Sequence, residues 1–148
     1  LANQEKKIVY NGNRKPLLSD KSYHISISHS DQYETVLLCK NRMVGIDIEK
    51  MQPKIQHIAS KFLKDQEIHN IRKEQGMYHL YLHWCAKEAL YKLCDQKTMS
   101  LKQHITIEPF IPEPEGILYG NVQFGNMEER FRLHYFAINN YSVVWCYQ

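Results

Sequence analysis

Two acidic residues stand two positions apart in an otherwise apolar segment, residues 44–49. In a β-strand, successive side chains point to opposite faces, so Asp47 and Glu49 share one face with Gly45, while the apolar residues between them face a core. Carboxylates roughly 6.6 Å apart along a strand repel each other unless a cation intervenes. Mg²⁺ typically takes one or two protein carboxylates, with water and substrate phosphate in its other positions. Taken alone, however, the pair is more typical of solvated carboxylates at a strand edge.

A second group of ionisable side chains lies in residues 78–94, which are apolar nearly all round and therefore predict a central helix enclosed on most sides. On that helix Trp84, Glu88 and Lys92 line one face at four-residue intervals. A Glu–Lys pair at this spacing usually only stabilises a surface helix, by about a few tenths of a kcal/mol. Because the surrounding helix is so apolar, Glu88 with Lys87 and Lys92 nearby also suits a site that holds a metal ion and phosphate.

Basic, hydroxyl and imidazole side chains come earlier in the chain, in segments 14–16 and 27–30. Among them Lys15, Ser28 and His29 are of the types that bind anions. Each segment alone is a weak signal, because a His beside a Ser most often marks a surface turn. These segments therefore point to an anion site only in combination with the carboxylates.

The composition is that of one folded domain. Of the 148 residues, 24% are charged and 43% are hydrophobic, which excludes a disordered chain. No apolar run approaches the roughly 18 residues of a membrane span, so we expect no membrane partner. The net charge of +3 suits an anionic partner but is too small for a dedicated nucleic-acid binder. With no secretory signal and no CxxC spacing, the four cysteines are expected to be reduced thiols of a cytoplasmic protein.

Periodicity and turn residues predict strands before and after a group of helices. The predicted strands are residues 23–27, 35–39, 43–49, 104–108, 117–124, 131–138 and 141–147, and the predicted helices are residues 55–63, 65–72 and 78–94. Residues 6–20 are predicted to be loop, Asn41-Arg42 to be a two-residue turn between strands, and Asp65 to cap the second helix. This order indicates an α+β fold, with helices packed on one side of a mostly antiparallel sheet.

Together, in order and approximate spacing, the four motifs resemble those of the 4′-phosphopantetheinyl transferase superfamily. Segments 45–49 and 84–92 are similar to its two signature motifs. Segments 14–16 and 27–30 are similar to the additional motifs of its two-lobed branch, the type that activates surfactin synthetase and similar megasynthases. The chain departs from the family at Asp31, where a Gly is frequent, and it has almost none of the half that precedes the Lys-Pro motif in two-lobed members.

The resemblance implies an enzyme that moves the phosphopantetheine arm of coenzyme A onto a serine of an acidic apo carrier protein and releases adenosine 3′,5′-bisphosphate. Asp47, Glu49 and Glu88 would hold Mg²⁺. Glu88, or a water on the metal, would take the serine proton, and the further catalytic residues would be Asp47 and Lys92. The phosphates of coenzyme A would be contacted by Lys15, Ser28, His29, Lys87 and Lys92. Glu67 lies where some members of the family carry a further site carboxylate.

Two other functions stay open. A Mg²⁺-dependent nuclease or phosphodiesterase also uses an Asp-x-Glu pair together with a Glu and a Lys. In those enzymes the Glu and the Lys usually stand two residues apart on a strand, whereas Glu88 and Lys92 have helical spacing. A non-catalytic domain could instead bind coenzyme A or the carrier protein. The resemblance covers about residues 8–95. Because the sequence begins at Leu1 and reaches Lys15-Pro16 so early, residues 1–148 are expected to form a single lobe, the C-terminal part of a longer chain. Such a lobe alone should bind coenzyme A weakly or self-associate to complete the cleft.

Overall fold

The computed structural model describes residues 5–148. Its strands are β1 (Ile8–Tyr10), β2 (Pro16–Leu18), β3 (His24–Ser30), β4 (Tyr33–Cys39), β5 (Val44–Lys50), β6 (Ile105–Ile107), β7 (Glu115–Phe124), β8 (Met127–Ile138) and β9 (Tyr141–Tyr147). Its helices are α1 (Ile55–Phe62), α2 (Asp65–His69), α3 (Gly76–Cys94) and α4 (Leu101–His104), with one 3₁₀ turn at Lys73–Gln75. Strands thus flank a block of helices, and the predicted α+β class is confirmed.

Five strands form one antiparallel sheet in the order β5-β9-β8-β7-β6. The strands β7, β8 and β9 follow one another as hairpins, and their turns lie at Gly125-Asn126 and Asn139-Asn140. Strand β5 pairs with β9, so that Asp47 lies opposite Val144. Two smaller antiparallel pairs, β1-β2 and β3-β4, precede this sheet in the chain.

Helix α3 packs against this sheet and forms the main core with it. Strand β5 approaches the helix so closely that a Cβ atom at Gly45 would overlap the carbonyl oxygen of Ala89. Helix α1 packs against α3 as well, in a second cluster that contains Phe62 and Leu80. These contacts enclose α3 on most sides, as its nearly all-apolar sequence predicts, and the sheet carries its helices on one side.

Two predictions about the first fifty residues are wrong. Residues 6–20 are not all loop, because β1 and β2 form a short hairpin. Strand β4 does not turn at Asn41-Arg42 to pair with β5; it pairs with β3, and β5 pairs with β9 instead. Strands of three residues are too short to show a period, and the partner of a strand is decided by packing far along the chain.

The second helix is shorter than predicted. It begins at Asp65 and ends at His69, whereas the sequence predicts a helix through Arg72. Its N-cap residue is Lys64, whose backbone N–H donates to a carboxylate oxygen of Glu67 at 3.0 Å. The cap is therefore supplied by the third residue of the helix reaching back, and not by Asp65.

All four cysteines are free thiols. Cys85, Cys94 and Cys146 are buried within the main core around α3, and Cys39 is half-buried. Across residues 5–148, no helix is both long and apolar enough to span a membrane.

Candidate active site

The polar face of β5 points toward α3. Ile46 and Ile48 pack in a separate apolar cluster with residues of β9. Asp47 and Glu49 alternate with them, and the indole N–H of Trp84 on α3 donates to Glu49 Oε1 at 3.4 Å. The alternation predicted for this strand is confirmed, and it brings two carboxylates to the helix.

Asp47 is buried, with one oxygen bonded and the other without a partner. Its Oδ1 atom accepts hydrogen bonds from Ser28 Oγ and from Lys92 Nζ, both at 3.0 Å. Within residues 5–148, its Oδ2 atom is buried and has no hydrogen-bond partner. Burial raises the pKa of the Asp47 carboxyl above its ordinary value, against the opposing effect of Lys92. A carboxylate oxygen left in this state favours an additional cation.

Two further carboxylates make the local charge more negative. Burial, with the charge of Asp47, raises the pKa of Glu49. Burial, with the charges of Asp47 and Glu49, raises the pKa of Glu88 to about 7, although Lys92 opposes the shift. The three acids, which we call the carboxylate corner, therefore disfavour one another's ionisation, and one positive charge from Lys92 does not offset this.

The carboxylate corner offers an unpartnered oxygen that suits a divalent metal ion, but it does not bring three ligands together. Within residues 5–148, no three Asp, Glu, His or Cys side chains lie close enough together to hold a metal ion as they stand. The predicted three-ligand set of Asp47, Glu49 and Glu88 is therefore not assembled. Mg²⁺, however, typically needs only one or two protein carboxylates, and the unpartnered Oδ2 of Asp47 suits it. The orphaned oxygen of Asp47 therefore fits Mg²⁺, whereas a set of three carboxylates is not assembled among the described residues.

Lys92 ties the helix to two strands. Its ammonium group donates to Asp47 Oδ1 at 3.0 Å and to the backbone carbonyl oxygens of Ile46 at 2.9 Å and Ile27 at 3.3 Å. The side chain stays 29% exposed. Lys92 thus joins α3, β3 and β5 while remaining accessible from one side.

A row of three serines attaches β3 to β5. Ser26, Ser28 and Ser30 alternate along β3, and their hydroxyl oxygens accept backbone N–H groups of β5 at 3.0, 3.1 and 2.9 Å. The three donors, in the same order, are Ile46, Ile48 and Lys50. On the edge of β5 that does not pair with β9, serine hydroxyls thus accept the backbone N–H groups that would otherwise have no partner strand.

Ser28 has a different role from the one predicted. Its hydroxyl accepts from Ile48 N–H and donates to Asp47, and the residue is buried. A hydroxyl has one proton to donate, so this one is not available to a phosphate oxygen. The predicted contact between Ser28 and the coenzyme's phosphates is corrected: Ser28 orients Asp47.

A basic pocket of about 410 Å³ opens beside Lys92. Its charged lining includes Arg14, Lys15, Lys92 and Lys97, opposed by Asp95. Its apolar lining includes Pro16, Ile25, Ile27 and Tyr91. Burial lowers the pKa of Lys15, although Asp95 opposes the shift. The mixture of cations and apolar surface suits an anion that carries an organic ring.

His29 lies apart from Ser28 in orientation. Successive side chains of a strand point to opposite faces, so His29 shares the face of Ile25 and Ile27, which line the basic pocket. His29 is exposed. The structure therefore separates the two residues that the sequence grouped together: Ser28 faces β5, whereas His29 is exposed and is not among the residues that line the pocket.

Lys87 and Glu67 are not part of the site. The Lys87 ammonium is completely buried and donates to Glu67 Oε1 and Phe62 O, both at 2.8 Å, and to Leu101 O at 3.1 Å. Glu67 Oε2 accepts from the backbone N–H of Ile107 at 2.9 Å. The predicted phosphate contact of Lys87 is wrong, because its face of α3 packs against α1, α2 and α4. Glu67, expected as a further site carboxylate, is its counter-ion.

The sequence that contains the carboxylate corner matches the model of a known protein family. The model of the 4′-phosphopantetheinyl transferase superfamily matches residues 43–146, from just before β5 to near the end of β9. The chain belongs to this superfamily. The match contains the carboxylate corner and Lys92, whereas the superfamily model does not extend over the loop that carries Arg14 and Lys15.

Two curated relatives carry the name of the transferase. The 4′-phosphopantetheinyl transferase psf-1 of Bacillus pumilus is 35% identical over 89 residues, which make up 55% of this chain and 36% of the relative. The protein slr0495 of Synechocystis, named as a candidate 4′-phosphopantetheinyl transferase, is 29% identical over 97 residues, or 60% of this chain and 39% of the relative. The chain thus spans well under half the length of these relatives.

Sequence analysis missed three residues of this member of the superfamily that organise the site. Ser26 and Ser30 extend the serine row, and their position two residues before and after Ser28 was the available signal. Asp95 ends α3 in a left-handed conformation, with φ of 51° and ψ of 44°. No glycine marks that helix end, so the sequence offered no direct sign of it.

Proposed function

We propose that the protein transfers the 4′-phosphopantetheine arm of coenzyme A to a serine hydroxyl of an apo carrier protein. The serine oxygen would form a bond to the phosphorus that bears the pantetheine arm. The bridging P–O bond would then break and release adenosine 3′,5′-bisphosphate. One observation carries this proposal: Lys92 joins the carboxylate corner, through Asp47, to the basic pocket. The nucleophile belongs to the carrier, so the chain need not supply one.

Mg²⁺ is the proposed cofactor, and Asp47 and Glu49 would hold it. When bound, it would neutralise the pyrophosphate and stabilise the negative charge on the leaving phosphate oxygen. Glu88 would accept the proton of the serine hydroxyl. Burial raises the pKa of Glu88 above its ordinary value, which makes its carboxylate a stronger base than an exposed one.

The basic pocket would hold the phosphates of coenzyme A. Arg14 and Lys15 supply positive charge from one loop, and His29 lies on the same side of β3. Hydrogen bonds between such cations and phosphate oxygens are roughly twice as strong as those between neutral groups. The net charge of +3 also supports an acidic carrier protein as the second substrate.

A second lobe would complete the cleft. Strand β1 exposes Ile8, Val9 and Tyr10 by 46%, 45% and 66%, and β4 exposes Val36 and Leu38 by 54% and 52%. Apolar surface of this kind on a folded chain marks an interaction site. We propose that a second lobe, from the same protein or from a second copy of this chain, covers it.

Calorimetry and light scattering on residues 1–148 test the second lobe. We expect weak coenzyme A binding, or binding that accompanies self-association, because a ligand of this size needs walls on both sides. Low-micromolar binding by a strictly monomeric chain would show that one lobe suffices.

The transfer itself can be tested with fluorescent coenzyme A. The protein expressed from its complete gene is mixed with Mg²⁺, an apo carrier protein and, in a separate reaction, duplex DNA. Label on the carrier supports the transferase, and cleaved DNA would support a nuclease. If neither product forms, a non-catalytic binding domain is the remaining function. Label transfer should stop on chelation with EDTA and return with added Mg²⁺.

Glu74→Gln is the matched control for substitutions of Asp47, Glu49 or Glu88, because Glu74 is exposed on the 3₁₀ turn. It removes one carboxylate outside the carboxylate corner and should leave transfer unchanged. Transfer that persists in EDTA would contradict the proposed cofactor but not the proposed reaction.

A further inference from the structure

Helix α3 ends at an aspartate in a backbone conformation that glycine adopts most easily. Asp95 has a φ of 51° and a ψ of 44°, and its backbone N–H donates to the carbonyl oxygen of Tyr91 at 3.1 Å. A left-handed residue commonly ends a helix, but the Cβ atom of any residue except glycine makes this conformation less favourable. An aspartate at this position suggests that its side chain has a purpose.

The Asp95 carboxylate is bonded to a loop far away in the chain. Its Oδ2 atom accepts from the side-chain amide of Asn11 at 2.9 Å. Its Oδ1 atom and its backbone carbonyl oxygen both accept from the side-chain amide of Asn13 at 3.3 Å. Two asparagines thus attach the turn between β1 and β2 to the end of α3.

The side chain of Asn11 also makes hydrogen bonds within the turn. Its Oδ1 atom accepts the backbone N–H groups of Asn13 and Lys15, both at 2.9 Å. Arg14 lies between them with a φ of 62°, another left-handed residue that is not glycine. The segment 11–15, which we call the basic loop, is therefore held in one conformation by Asn11 and in one place by Asp95.

We propose that Asp95 is a positioning residue that holds the basic loop as a wall of the coenzyme pocket. The inference rests on the proposed function, because it assigns that pocket to coenzyme A. Both Asp95 and the basic loop line the pocket, and Lys15 reaches the carbonyl oxygen of Leu93 near the same helix end. Holding Arg14 and Lys15 in place before binding reduces the entropy lost when they bind phosphate.

The charge of Asp95 taken alone predicts the opposite effect. An anion among the cations of the pocket repels phosphate, so its removal should strengthen coenzyme binding if Asp95 acts only through its charge. If Asp95 acts by holding the basic loop, its removal should weaken binding. The sign of the change therefore separates the two roles.

Asp95→Gly is the decisive variant because glycine favours the left-handed conformation. It keeps the backbone bond to Tyr91 and relieves the unfavourable left-handed conformation, which offsets the loss of the side-chain bonds, so the unfolding midpoint should change little. In the protein expressed from its complete gene, we expect the dissociation constant for coenzyme A, measured by calorimetry, to rise roughly tenfold. The KM for coenzyme A should rise with it while kcat stays within about twofold, because the reacting groups are untouched.

Hydrogen exchange provides a readout that does not need the coenzyme. The backbone amides of Asn13 and Lys15 should exchange roughly tenfold faster in Asp95→Gly than in the wild type, because loosening the loop opens their bonds to Asn11 more often. Unchanged exchange would overturn the proposal that Asp95 holds the basic loop, whether or not the protein binds coenzyme A. Absence of coenzyme binding by the wild type would instead count against the proposed function.

A reciprocal exchange of the two side chains tests the bond itself. Asn11→Asp keeps the oxygen that shapes the turn but faces Asp95 with a second carboxylate, so it should loosen the loop. The double variant Asn11→Asp, Asp95→Asn restores one donor and one acceptor in the opposite direction. We expect it to recover slow exchange and coenzyme affinity to within about threefold of the wild type. Failure of this rescue, or tighter coenzyme binding by Asp95→Gly, would overturn the proposal.

Discussion

Helix α3 carries two lysines, each paired with a carboxylate of another element, and the two ion pairs differ in exposure and in how completely they are bonded. Lys87 and Glu67 are 0% and 2% exposed, and the bonds of this pair include two helix carbonyls, two backbone N–H groups and the ion pair itself. Lys92 and Asp47 are 29% and 5% exposed, and Asp47 keeps one oxygen without a partner within residues 5–148. The first pair is closed, and the second is open toward the pocket.

The difference shows which ion pair serves the fold and which serves the site. The closed pair joins α1, α2, α3, α4 and β6 and leaves no group for a ligand. The open pair also joins elements, but within residues 5–148 the second carboxylate oxygen of Asp47 has no partner and can still bind a cation. Polar groups that are completely satisfied in the interior are structural, and incompletely satisfied ones mark candidate sites.

Breaking the closed pair should have the largest effect on stability. Glu67→Gln keeps the size of the side chain but leaves the Lys87 ammonium buried without a counter-charge. We expect a loss of about 3–5 kcal/mol in the free energy of unfolding, measured with urea. The double variant Glu67→Gln, Lys87→Met removes both charges and should recover most of this loss. A loss below about 1 kcal/mol in the single variant would show that the pair is not needed for the fold.

Removing the hydroxyl that orients Asp47 should have a smaller effect. Ser28→Ala leaves the N–H of Ile48 without its acceptor, and we expect a loss of roughly 1–3 kcal/mol in urea unfolding. Ser30→Ala is the matched control, because Ser30 is only half-buried and water can replace its bond to Lys50 N–H. Equal losses in the two variants would contradict the special position of Ser28.

The smallest effect concerns the pH dependence of stability. The unfolded chain loses the Glu88 proton near its ordinary pKa of 4.5, whereas the folded chain keeps it until about 7. Glu88 therefore lowers the free energy of unfolding progressively between these pH values. Glu88→Gln removes this cost, so its stability relative to the wild type should rise from pH 5 to pH 8 in EDTA. A difference that is constant with pH would contradict the raised pKa.

Much of the site follows from local pattern. The alternation in β5 correctly predicts that Asp47 and Glu49 share a face with Gly45, the residue at which the backbone of α3 comes close. The strongly apolar sequence of α3 correctly predicts an enclosed helix. These features depend on neighbours within a few residues, which is why the sequence contains them.

The remaining features depend on packing between distant segments. Lys87 and Lys92 occupy the same apolar helix, and nothing local distinguishes the lysine that faces the short helices from the one that faces the pocket. The alternating serines are visible in the sequence, but the strand that receives them is not. Asp95 reaches the basic loop across more than eighty residues of chain. Such contacts are decided by the tertiary fold.

The contrast between the open and the closed pair is tested most directly by one assay of label transfer. Asp47→Asn and the double variant Glu67→Gln, Lys87→Met are compared at a temperature at which urea curves show both to be folded. The rate of transfer from fluorescent coenzyme A to an apo carrier protein should fall roughly a hundredfold or more in Asp47→Asn. The double variant should keep most of the wild-type rate. A folded Asp47→Asn variant with the wild-type rate, or a folded double variant that has lost transfer, would contradict the assignment of the open pair to function and of the closed pair to the fold.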